Sequence, residues 1–213
     1  MKAGDGNDTL NIANGVDMNG ATIAMNVGVD QINVSANTAV LFSNARIGAG
    51  QGNDSAVFSF DSALATLNGF TMNGGEGADT VNLLANSGIN VSGATLFNLG
   101  GGSDTFSATL APDSGVASGS LTFRGDSGKD TMTLNLSGTV TGGYTLNIYG
   151  DDASLAGTAD FADVIQVNWS NTAADITGVI AGGGGADVLS LSAGLVTAGS
   201  ANMSIDGGLG ADS

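Results

Sequence analysis

The sequence predicts an all-β fold, a parallel β-helix (β-solenoid), and three observations carry that prediction. The first is a phrase of glycines closed by one aspartate and followed by a short alternating strand, clearest in Gly75-Glu76-Gly77-Ala78-Asp79-Thr80-Val81-Asn82-Leu83. Counted at Asp8, Asp30, Asp54, Asp79, Asp104, Asp130, Asp163, Asp187 and Asp212, the copies lie 22, 24, 25, 25, 26, 33, 24 and 25 residues apart. A period held near 25 residues marks a solenoid of about eight coils, in which each coil buries its apolar face only by stacking on the next. The second observation is an apolar pair two and four residues after each aspartate. The third is an apolar residue seven before it.

The strand after the aspartate is the most regular element. Its apolar pairs are Leu10/Ile12, Ile32/Val34, Ala56/Phe58, Val81/Leu83, Phe106/Ala108, Met132/Leu134, Ile165/Val167 and Leu189/Leu191, with mostly Thr, Asn, Gln or Ser between them. Strict alternation over four or five residues is the pattern of a strand with one buried face. The strand before the aspartate carries Ile23, Ile47, Met72, Phe97, Phe123, Ile180 and Ile205. Only the Asp163 coil breaks this spacing. There Ile148 fills the place, and residues 151–158 form an extra loop that accounts for the 33-residue interval. A looser third segment, such as 88–91 or 194–197, completes the coil. Glycines belong at the corners, where positive φ is needed. No segment keeps a 3.6-residue period, so no helix is expected. An antiparallel sandwich would not need a register kept in phase over the whole chain.

Composition bounds the function. The 213 residues include 36 Gly, 1 Pro, no Cys and no His, and 20 acids against four bases (Lys2, Arg46, Arg124, Lys129) give a net charge of −16. Apolar residues at 42% that recur with a period argue against disorder despite the glycine. The acidic balance disfavours nucleic acid and anionic membranes and favours cations. No run reaches the roughly 18 apolar residues of a membrane-spanning helix, so membrane insertion is not expected. Met1-Lys2 leads straight into a repeat without a signal-peptide pattern. Residues 1–213 read as a single repeat domain, expected to be a stretch of a longer array that associates end to end.

The phrase Gly4-Asp5-Gly6-Asn7-Asp8-Thr9-Leu10, with Asp79, Asp104 and Asp187 and their flanking glycines, resembles the glycine- and aspartate-rich motif of the repeat-in-toxin (RTX) proteins. In that family such loops hold calcium between stacked turns, and the proteins are secreted toxins, proteases, adhesins and surface-layer components. Here the motif comes once per coil instead of every nine residues, which is more similar to the β-helical stretches of bacterial adhesins and surface-layer proteins. The resemblance implies a right-handed solenoid, an extracellular or cell-surface location, and calcium at Asp8, Asp54, Asp79, Asp104, Asp130, Asp187 and Asp212. Asp30 and Asp163 lack the full glycine set, so ions are expected to be weak or missing at those steps.

An aspartate column also has a plain structural use, because its side-chain oxygens can accept backbone N–H groups in a turn. Against that stands repulsion. Carboxylates about 4.8 Å apart repel by roughly 1 kcal/mol at the dielectric of water, and several-fold more at an effective ε near 20. Trp169 is expected in the core. Tyr144 and Tyr149 flank the extra loop and offer a possible carbohydrate contact. A β-helical polysaccharide-processing enzyme would need acids and bases gathered on one column, as Asp151, Asp152 and Asp160 do not clearly provide. The expectation is therefore a non-enzymatic, structural or adhesive segment. Polysaccharide binding or processing is the alternative.

Overall fold

The computed structural model describes residues 1–61, 65–86, 89–110, 119–138, 143–151, 161–171, 176–194 and 200–213. Among them there are strands and turns and no helix. All pairings between named strands are parallel, and they make a β-solenoid of three sheets. The first sheet has eight strands, each following a motif aspartate: Thr9–Ile12, Gln31–Ala36, Ser55–Phe60, Thr80–Ala85, Thr105–Leu110, Thr131–Gly138, Val164–Asn171 and Val188–Ala193. The second also has eight, each preceding an aspartate: Thr22–Ala24, Arg46–Gln51, Thr71–Glu76, Ala94–Gly101, Ser120–Ser127, Tyr144–Asp151, Ile176–Gly184 and Ala201–Leu209.

Both apolar columns read from the sequence are register columns in space. Leu10, Ile32, Ala56, Val81, Phe106, Met132, Ile165 and Leu189 pair in succession along the first sheet. Ile23, Ile47, Met72, Phe97, Phe123, Ile148, Ile180 and Ile205 do the same along the second. Ile148 does fill the gap in the Asp163 coil. Asp151, however, ends the strand Tyr144–Asp151 and is buried, so it belongs to the coil and not to the inserted loop. Residues 152–158 of that loop lie outside the described residues.

The third segment is less regular than the other two. It forms a three-stranded sheet of Val40–Ser43, Ala65–Asn68 and Ile89–Val91. The segment 195–197 lies outside the described residues.

Between the sheets runs one core. Its centre is an aromatic stack in which Phe97 touches Phe58, Phe70, Phe106 and Phe123, with centroids 5.5–5.9 Å apart. Edge-to-face and offset contacts of this kind add about 0.5–1.5 kcal/mol per pair beyond burial. Toward the last coil the column thins. Leu189 and Leu191 are half-buried and Ile205 is exposed.

Candidate functional site

The glycine phrase becomes a corner between the second and first sheets. The glycine four residues before the aspartate (Gly50, Gly75, Gly100, Gly183, Gly208) and the glycine two before it (Gly6, Gly28, Gly52, Gly77, Gly102, Gly128, Gly185, Gly210) all have φ between +91° and +157°. Their second role is close approach. A Cβ on Gly77 would lie 2.0 Å from the carbonyl oxygen of Gly52, and one on Gly102 would lie 1.9 Å from that of Gly77. The corners therefore nest into one another, and at Gly77 and Gly102 only glycine permits so close an approach.

Nesting decides where the aspartate goes. Asp30, Asp54, Asp79, Asp104, Asp130, Asp163 and Asp187 are buried, Asp79 at 2% exposure, while Asp8 is partly covered and Asp212 is exposed. Each backbone N–H in the column donates to Oδ1 of the aspartate one coil further on. The eight links are Asp8 to Asp30, Asp30 to Asp54, Asp54 to Asp79, Asp79 to Asp104, Asp104 to Asp130, Asp130 to Asp163, Asp163 to Asp187 and Asp187 to Asp212, at 2.7–3.0 Å. The residue after each aspartate bonds in the opposite sense. Thr80 N–H, for example, donates to the Asp54 carbonyl and Thr105 N–H to that of Asp79, at 2.9 and 2.8 Å. The carboxylate thus supplies the acceptor that a turn amide would otherwise lack, and an unpaired buried amide costs about 1–3 kcal/mol. Asp30 and Asp163, set apart in the sequence for their weaker glycine pattern, sit in the ladder like the others. In the Asp163 coil an exposed Phe161 stands where the second glycine would be, and the link still forms across the 33-residue interval.

The second carboxylate oxygen is the unusual atom. Oδ2 of Asp30, Asp54, Asp79, Asp104 and Asp163 is buried and accepts no hydrogen bond. Burial pushes the carboxyls up from the ordinary 3.8: Asp79 to about 7, Asp104 to about 6, Asp163 to about 8, and Asp54 in the same direction. The amide bond on Oδ1 opposes the shift without cancelling it. Neighbouring carboxylates add to it: Asp54 and Asp104 around Asp79, Asp126 beside Asp104, and Asp130, Asp151 and Asp187 around Asp163.

Calcium takes six to eight oxygens at 2.3–2.6 Å. In this column Oδ1 faces an N–H at every link, which leaves Oδ2 at Asp30, Asp54, Asp79, Asp104 and Asp163. No group of three or more acidic, His or Cys side chains is placed to hold a metal among the described residues. A calcium ion at this corner would therefore draw most of its shell from main-chain carbonyl oxygens.

Other sequence candidates fall into place around this column. Trp169 is core, 3% exposed. Tyr149 lies under the Arg124 guanidinium, 5.4 Å from its centroid. Asp151 is buried, its Oδ2 accepting from Gly184 N–H at 2.7 Å, while Asp152 and Asp160 lie outside the described residues. On the outer face of the second sheet a groove of about 330 Å³ opens over Gly75, Gly100 and Gly101, between Asn73, Glu76, Asn98, Asp126 and Ser127. Asp126 occupies the glycine column there with φ +72°. No family model, curated protein or solved structure matches the chain.

Proposed function

We propose that this chain is a structural repeat segment of a secreted or cell-surface protein, a rod that holds length and spacing. The observation that carries the reading is the continuous strand order of both eight-stranded sheets, in which the glycine and aspartate turns serve coil stacking. The high negative charge suits a surface that stays solvated and resists non-specific association. The chain does no chemistry in this reading.

Stacked strands at about 4.8 Å make the eight-stranded stack about 35 Å long. Small-angle scattering should give an elongated particle with that dimension along its axis. Labelling of intact source cells, or of their medium, with an antibody to this segment should find it outside the cell. Detection only after lysis would refute the assignment.

One observation favours polysaccharide binding as a second reading. The glycine-floored groove presents two carboxylates, two amides and a hydroxyl, a set that pairs with sugar hydroxyls. Glycan-array binding lost on Glu76→Ala would support it, and absence of binding to any glycan would remove it.

A further inference from the structure

The unbonded oxygens of the ladder face something specific. At Asp79, Oδ2 lies 2.5 Å from the point where a Cβ of Gly74 would be, and the Leu99 carbonyl oxygen of the next coil lies 2.2 Å from the same point. At Asp163 the arrangement repeats, with Oδ2 at 2.2 Å and the Gly182 carbonyl oxygen at 2.3 Å from the vacant Cβ position of Gly150. The pairing register of the second sheet skips this position: Gly74 with Leu99, Leu99 with Gly125, Gly125 with Gly150, and Gly182 with Gly207. Two acceptor oxygens thus converge over a bare glycine Cα, in a buried place. Acceptors do not face each other without a proton or a cation between them.

We propose that Asp79 and Asp163 are neutral carboxylic acids within the column, each holding its proton on Oδ2 and directing it at the main-chain carbonyl of the following coil. Each acid then ties three coils together. Oδ1 accepts the N–H of the coil before, and Oδ2–H donates to the coil after. A proton needs only these two oxygens, whereas calcium would need six to eight. Among the described residues, the ionisable groups that act on Asp79, Asp104 and Asp163 are other members of the column, with Asp126 beside Asp104 and Asp151 beside Asp163. All of them are acids, so each ionisation makes the next harder. The solenoid is therefore locked by protons, and rising pH loosens it.

The test uses the whole chain in chelator. At pH 6 infrared spectra should show the carbonyl stretch of protonated carboxylic acid, and it should fade as pH rises to 9. The measured net charge at pH 6 should be less negative than the formal −16. Asp79→Asn and Asp163→Asn place an NH2 where the acid holds its proton. They should leave the melting temperature near the parent's at pH 5 and raise it at pH 9. Three results would overturn the proposal: no protonated-acid band at pH 6, a melting temperature that climbs with pH in chelator, or millimolar calcium that raises the parent's melting temperature and loses that effect in the Asn variants.

Discussion

Replacing Gly77 by alanine should unlock one coil interface. Gly77 sits at φ +130°, a conformation that L residues rarely adopt, and strain of this kind costs about 1–3 kcal/mol. Its new Cβ would meet the Gly52 carbonyl oxygen at 2.0 Å and the carbonyl carbon at 2.6 Å, both backbone atoms that cannot turn aside. Relieving such an overlap by shifting the coil costs about 1–3 kcal/mol more. The shift would also disturb Gly77 N–H to Gly101 carbonyl at 2.7 Å and, two residues on, the links of Asp79 to its neighbours. The expected loss is roughly 2–6 kcal/mol, concentrated at the interface of the Asp54 and Asp79 coils because solenoid stability is a sum of nearest-neighbour terms. Gly48→Ala is the internal control. No positive φ is required there, and the nearest atom to a Cβ is 3.9 Å away. Fewer unfolded conformations should leave that variant unchanged or about 0.4–1 kcal/mol more stable. Urea unfolding of both variants, with hydrogen exchange at Asp54 and Asp79, measures the difference. Equal midpoints for the two variants would refute the nested-corner argument.

Other outcomes follow from the same geometry. In chelator, stability should fall as pH rises, because the folded acids at about 6, 7 and 8 (Asp104, Asp79, Asp163) hold protons more tightly than an unfolded chain near 3.8. That contribution is complete below about 3.8 and is lost as pH passes through about 6–8; thermal melts across this range read it directly. Asp79→Ala at pH 5 should cost about 1–3 kcal/mol by stranding the Asp54 amide, whereas Asp79→Asn at that pH should not. Phe97→Ala, at the centre of four ring contacts, should cost about 3–5 kcal/mol in denaturant unfolding. Val81→Asp puts an unpaired charge into the first-sheet column and should lose several kcal/mol, read as a lowered melting temperature or failure to fold.

Much of the architecture was legible in the chain because two periods act at once. Alternation by two assigns Leu10, Val81 and Leu189 to an inner face, and recurrence near 25 residues aligns them with one another. Parallel stacking turns sequence phase directly into register, so Ile23 through Ile205 pair as the spacing requires. The glycines were legible too, as corners. The surroundings of the aspartates were harder to read. Asp79 shares the parity of Val81 and Leu83, so the same alternation that buries them turns its carboxylate inward. Charge and family resemblance argued for calcium between the stacked turns, beside the plain use of the aspartate as an acceptor of turn amides.

Only the stacked structure shows which amide each aspartate meets. An amide one coil away becomes a partner when corners nest within van der Waals contact, and no local sequence signal reports the position of that amide. The link across the Asp130 to Asp163 interval makes the same point. A 33-residue step and a Phe161 in place of glycine break the written pattern, yet the two aspartates meet at 2.7 Å because the sheets on either side hold their register. The sequence determined which residues share a column. Tertiary packing determined what each column faces, since the facing atoms belong to the neighbouring coil.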